Sequence, residues 1–268
     1  MNFLNINGHV IHYQWQDNQK DKTFVFINSL GADYRIWSEV AGALKQYGNI
    51  LLFDNRGHGL SDVVPHTDGL PDFVDDAQTL LSELGIEKCI IIGLSVGGMI
   101  AQVLADRIPE KIEKLILCDT RHKIGHSTFW NDRIKAVEKD GLPGVSEVVM
   151  QRWFSENFRK ENKTKVAGYK NMLERMPTLG YIKTCEAIRD ADLTDIASKI
   201  HIPALCIVGS EDKSTTVDEV RNLSELIKGS QFEIIQDSGH IPCVDNPQRL
   251  VELILHFTGL TKQPEIAK

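Results

Sequence analysis

The chain has 268 residues, 42% of them hydrophobic, and a formal net charge of -7. That length suits one large core, built as one α/β domain with an insertion or as two small domains, while the acidic balance argues against nucleic acid as a partner and against long-range steering of an anionic substrate. The five cysteines lie mostly in apolar runs without metal spacing and read as reduced core thiols, and with no secretory leader and no apolar stretch of membrane-spanning length, no membrane partner is expected and the cytoplasm is the expected location.

In chain order, FLNINGHVIHYQW reads as a hairpin turning at Asn7-Gly8, a turn-forming pair. Short apolar runs follow at Thr23 to Asn28, Ile50 to Phe53, Cys89 to Ile92 and Leu115 to Cys118. Two more lie at Ala204 to Val208 and Phe232 to Ile235. Continuous apolar strands separated by helix-length segments predict a mostly parallel sheet covered on both faces. FVDDAQTLLSEL carries a one-sided apolar face with Gly85 behind it as a stop. Its acidic pair Asp75-Asp76 is expected on a solvated face. MIAQVLADRIP is the next helix, ending near Pro109. Between about Arg121 and Lys199 the strand rhythm stops. HSTFWNDRIKAVEKDG, VSEVVMQRWFSENF and VAGYKNMLERM are amphipathic, so this stretch reads as a helical insertion between two strands.

The strongest chemical signal is Gly93-Leu94-Ser95-Val96-Gly97, a G-x-S-x-G set between a strand and a helix. That is the context of a nucleophile elbow, in which a serine occupies a very tight turn and the glycines let backbones approach. A serine hydroxyl is a weak nucleophile and needs a base. His240, late in the chain after the last strand, fits the Ser…Asp…His order better than the other histidines; His58 lies in a Gly-rich loop and His201 abuts a strand. The acid that orients the imidazole is expected at Asp212, just past a strand's carboxyl end. Asp119, after an earlier strand, is its rival, and Glu211 points elsewhere. Two backbone donors for an oxyanion are expected at Val96 and, in Asn28-Ser29-Leu30-Gly31, at Leu30. The segment Asp54-Asn55-Arg56-Gly57-His58-Gly59-Leu60-Ser61 reads as a structural brace beneath the elbow.

The spaced set NSLG, DNRGHGLSD, GLSVGGM, GSED and SGH resembles the α/β-hydrolase family over nearly the whole chain. Within it, the chain is most similar to 3-oxoadipate enol-lactonases. The shared features include Arg152-Trp153-Phe154, Gly180-Tyr181, Cys185 and Ala187-Ile188-Arg189-Asp190 in the insertion. Asp119 stands where many members have asparagine. The resemblance implies an α/β-hydrolase core over residues 1–120 and 199–268, with a helical cap over 121–198.

It also implies hydrolysis of a five-membered enol-lactone bearing an acetate arm, in the breakdown of aromatic compounds. No cofactor and no metal are implied. The expected partner is a small lactone or ester bearing a carboxylate. Arg133 or Arg152 is then expected to meet that carboxylate, with Trp130, Trp153 and Tyr181 along an apolar wall. A general carboxylesterase or a perhydrolase-like relative is the alternative enzyme, and a non-catalytic ligand receptor is a third reading.

Overall fold

The computed structural model describes residues 1–260. Strands β1 (Asn2–Ile6) and β2 (His9–Gln16) form the first hairpin. Asn7 and Gly8, at φ 52° and 89°, both occupy the left-handed region that this two-residue turn requires. Then come β3 (Thr23–Ile27), α1 (Ser38–Leu44), β4 (Asn49–Phe53), α2 (Leu70–Glu83), β5 (Cys89–Leu94), α3 (Val96–Arg107) and β6 (Ile112–Cys118). Six helices follow without a strand: α4 (Ser127–Asp140), α5 (Pro143–Trp153), α6 (Glu156–Glu161), α7 (Lys163–Glu174), α8 (Thr178–Asp190) and α9 (Thr194–Lys199). The sheet resumes with β7 (Ala204–Gly209), α10 (Val217–Leu226), β8 (Gln231–Ile235), α11 (Pro242–Asp245) and α12 (Pro247–Thr258).

The eight strands form one sheet in the order β1-β2-β4-β3-β5-β6-β7-β8. Only the β1–β2 and β2–β4 pairings are antiparallel. Every residue of β3, β5 and β7 is buried, although neighbouring side chains point to opposite faces. Helices therefore cover both faces, as the continuous apolar runs require. Strand β6 starts three residues before its apolar run, because Ile112-Glu113-Lys114 pairs while its polar members remain half-buried. In the insertion, α4 packs on α5 and α8, and α7 packs on α5 and α6. Helix α9 instead packs on α3 and α10, with Ala197 fully buried. All five cysteines are buried and unpaired, and burial pushes the Cys89 and Cys206 thiols up to about 12. Among the described residues, no helix is long and apolar enough to cross a membrane.

One sequence expectation is corrected here. Asp75 is solvated and paired with Arg107, but Asp76 is buried. Asp76 shares a helix face with Phe73, Ala77 and Leu80, the i+3/i+4 spacing that turns a side chain inward. Its carboxylate accepts two bonds from Arg56, at 2.6 and 2.7 Å, and His9 Nε2 lies 3.0 Å away. Arg56 also donates to the Asp72 carbonyl at 3.0 Å. Thus the Arg56 loop is fastened to α2 as the brace reading requires. Asp54 supports the same loop by accepting from the Tyr34 and Leu60 N–H groups, with His12 Nδ1 at 2.7 Å.

Removing Asp76 takes away the bidentate partner of the buried Arg56 and leaves it only the half-buried Asp72 carboxylate at 3.1 Å. We expect Asp76→Ala to lower the unfolding free energy by about 3–5 kcal/mol. Denaturant titration checks this, and a loss within about 0.5 kcal/mol would match a surface position instead.

Candidate active site

Strand β5 turns into α3 through a single residue, Ser95, at φ 57° and ψ -119°. That backbone is strained for a residue with a side chain, at a cost on the order of 1–3 kcal/mol. Two contacts explain the flanking glycines. A Cβ on Gly93 would lie 2.4 Å from the Gly97 carbonyl oxygen, and one on Gly97 would lie 2.3 Å from that of Ile27. The turn is held by the Ser95 N–H, which donates to the Cys118 carbonyl at 3.0 Å, and by the Thr120 hydroxyl, which donates to the Ser95 carbonyl at 2.6 Å.

His240 follows β8, and its Nδ1 lies 2.8 Å from Asp212 Oδ2. Asp212 follows β7 and is bonded on all sides. Its Oδ1 accepts from the N–H groups of Ser214 and Thr215, and its Oδ2 also accepts from the Thr215 hydroxyl at 2.6 Å. These donors fix the orientation of the carboxyl group. The imidazole therefore presents Nε2 away from Asp212, and both Ser95 and His240 line one cavity. No hydrogen bond yet joins them among the described residues; such contacts commonly tighten only when substrate is bound. Val96 is the first residue of α3, so its N–H has no partner within the helix. Leu30 lines the cavity, in the turn after β3.

Asp119 lies beside this pair. A ligating atom from each of Asp119, Asp212 and His240 falls within 4.8 Å of the others. This is the acid–histidine group with spacing suited to a metal ion. However, the Asp212 oxygens are already occupied by hydrogen-bond donors. Asp119 differs from Asp212 in its surroundings. Its Oδ1 accepts from the Gly209 N–H at 2.8 Å, and its Oδ2 is buried without a partner. Burial, followed by the neighbouring Asp212 charge, holds its carboxyl well above the usual carboxylate range.

The cavity encloses about 230 Å³. Drug-sized ligands occupy pockets of roughly 300–1,000 Å³, so this one suits a smaller molecule. Trp130, Arg133, Arg152, Trp153 and Tyr181 all line it with Ser95, Leu30 and His240. The three aromatics are buried, and the Trp130 Nε1–H donates to the Ile124 carbonyl at 2.7 Å. Arg133 donates to the Tyr181 hydroxyl at 3.3 Å, and Arg152 to the Lys213 carbonyl at 3.2 Å. Neither arginine meets a carboxylate among the described residues. Burial, with Arg133 nearby, pulls Arg152 below its ordinary value. Sequence reasoning missed Phe129, whose ring lies under both guanidiniums, 5.6 Å from Arg133 and 5.2 Å from Arg152. Its i,i+4 spacing to Arg133 was the available signal.

Comparison with known proteins gives the chain's relatives. The family described as alpha/beta hydrolase fold matches residues 22–247. The chain is 31% identical to 3-oxoadipate enol-lactonase 1 of Acinetobacter baylyi over 258 residues, covering 96% of this chain and 95% of that protein. It is also 31% identical to 3-oxoadipate enol-lactonase 2 of the same organism, over 84% of each chain. Among solved structures, the enol-lactonase from Burkholderia xenovorans LB400 superposes with a TM-score of 0.92 at 28% identity, over 96% of this chain and 100% of that one.

The raised Asp119 carboxyl bears on stability. The unfolded chain ionises this residue above the ordinary value of 3.8, whereas the folded chain holds its proton to higher pH. Its contribution to stability is therefore full below that value and is lost as pH rises toward the folded value. Asp119→Asn removes this term. The variant should gain on wild type as pH rises, by at most about 1.4 kcal/mol per pH unit. Unfolding titrations at mildly acidic and mildly alkaline pH test this. A gap independent of pH would mean that Asp119 ionises equally in both states.

Proposed function

The chain belongs to the α/β-hydrolase family, and on that premise we propose that it opens a small enol-lactone bearing a free carboxylate, as its enol-lactonase relatives are named for doing. The observation that carries this reading is the cavity itself. It sets Ser95 and His240 beside two arginines that no carboxylate neutralises. Half-buried cations without an anionic partner among the described residues favour an anionic ligand, and a planar guanidinium suits a carboxylate. The cavity's size and aromatic walls favour a small ring over a long acyl chain.

In the proposed reaction the Ser95 hydroxyl attacks the lactone carbonyl while His240 Nε2 takes its proton. Asp212 keeps the other ring nitrogen protonated and offsets the imidazolium charge. The amides of Leu30 and Val96 donate to the oxyanion. As the tetrahedral intermediate collapses, the bond from the carbonyl carbon to the ring oxygen breaks. The electron pair leaves on an enolate, which takes the proton held on His240 and becomes a ketone, restoring the neutral imidazole. The enolate is a better leaving group than a simple alkoxide, so this step is easier than in an ordinary ester. Water then attacks the acyl-enzyme, with His240 again as base, and releases 3-oxoadipate or a close analogue. This chemistry belongs to the breakdown of aromatic compounds.

Ser95→Ala should reduce turnover by up to about 10⁶-fold. An enol-lactone assay followed by absorbance measures it, and near-normal activity would remove Ser95 from the nucleophile's role. Arg152→Ala, compared on the acidic lactone and on a neutral aryl ester, tests the substrate class. The loss should be confined to the acidic substrate, at about 1.5–3 kcal/mol, or roughly 10- to 100-fold. Equal losses on both substrates would favour a general carboxylesterase.

A further inference from the structure

His58 is fully buried in the loop after β4, yet neither the nucleophile, the base nor the cavity wall uses it. Its two ring nitrogens have unlike partners. Nδ1 lies 3.1 Å from the Arg56 carbonyl oxygen, which can only accept. The Gly31 N–H, which can only donate, points at Nε2 from 3.1 Å. A single protonation state satisfies both contacts, the neutral imidazole with its hydrogen on Nδ1. Burial supports that state by lowering the imidazole to about 4.

The Gly31 N–H belongs to the peptide unit that joins it to Leu30. Gly31 adopts φ +85°, and a Cβ there would lie 2.8 Å from Leu173 and 3.3 Å from Trp153. The turn is thus pressed by the insertion from one side and held by His58 from the other. The loop that carries His58 is itself rigid. The His58 N–H donates to the Asn55 carbonyl at 2.9 Å, and the Asn55 amide donates to the Asn28 carbonyl at the end of β3. Arg56, between them, is locked to Asp76.

We propose that His58 is a positioning residue for the oxyanion hole: by accepting the Gly31 N–H on Nε2 it fixes the Leu30–Gly31 peptide, which anchors the Leu30 backbone and so limits the swing of the adjoining Ser29–Leu30 peptide, whose N–H is the oxyanion donor. The proposal rests on the assignment of Leu30 and Val96 as oxyanion donors made above. Its energetic logic is preorganisation, since a donor fixed before the reaction needs no reorientation during it.

Two variants separate this role from simple structural support. In His58→Gln the side-chain oxygen can reach the Nε2 position and accept from Gly31. In His58→Asn the side chain is shorter and restores only the contact with Arg56. With p-nitrophenyl acetate as the probe, His58→Asn should lose about 10²-fold in kcat with KM little changed. His58→Gln should recover most of that loss. Affinity for a small alkyl boronic acid, which mimics the tetrahedral intermediate, should follow kcat. Equal kcat for the two folded variants, whether normal or reduced, would overturn the proposal. Should either variant fail to fold, the ¹⁵N spectrum of the wild-type histidines decides. A neutral His58 with an unprotonated Nε2 at neutral pH is required, and a protonated Nε2 would overturn the proposal. Labelling of wild-type Ser95 by a fluorophosphonate isolates the underlying reading. If Ser95 is not labelled, the hydrolytic assignment fails; if it is labelled and the variants are indistinguishable, only the role of His58 fails.

Discussion

Ser95 changes the chain from strand to helix in one residue, and the rest of the site is arranged around that turn. Its positive φ is tolerated because the neighbouring backbone closes over it. Gly97 rests against the end of β3, within reach of the Ile27 and Asn28 carbonyls, so the chain after β3 leaves the sheet beside the elbow. On the other side, Cys118 and Thr120 each bond the backbone of Ser95. Asp119 lies between those two residues. It is drawn into the interior because both its neighbours are committed to holding the turn. Its left-handed φ of 45° is part of the same constraint.

That burial places two carboxylates beside one imidazole, and their hydrogen bonds differ. Asp212 receives donors on both oxygens, whereas Asp119 receives one and leaves an oxygen unpartnered. Burial, and then repulsion from the Asp212 charge, raises the Asp119 carboxyl. An asparagine at residue 119 would keep nearly the same shape without an ionisable group.

The sheet was legible in the sequence because strands buried on both faces leave continuous apolar runs, as at Phe24 to Ile27 and Ile90 to Ile92. The elbow was legible because its steric demand falls on fixed neighbours, Gly93 and Gly97. Asp76 was misread for a different reason. A pair of acids looks solvated until the helical phase is considered, and its partner Arg56 lies 20 residues away in sequence. Phe129 was only half legible: its i,i+4 spacing to Arg133 is local, but its place under Arg152 depends on how α4 packs against α5. His58 was weighed and set aside as a base. Its hydrogen bonds to a carbonyl and an amide depend on backbone placement, which residue types do not reveal.

The insertion also reaches the base directly. The last carbonyls of α5 have no donors within their own helix. The loop bearing His240 supplies them: the His240 N–H donates to the Arg152 carbonyl at 3.4 Å, and the Ile241 N–H to the Trp153 carbonyl at 3.1 Å. The residues whose side chains line the cavity therefore hold the base through their backbones. The same contacts bring the negative end of the α5 dipole close to His240. In the proposed reaction His240 becomes positive as it takes the serine proton, and a helix carboxyl end favours such a charge by about 0.3–1 kcal/mol. Any displacement of α5 would alter the cavity wall and the surroundings of His240 together, so in the proposed reaction substrate fit and proton transfer are linked through two backbone hydrogen bonds.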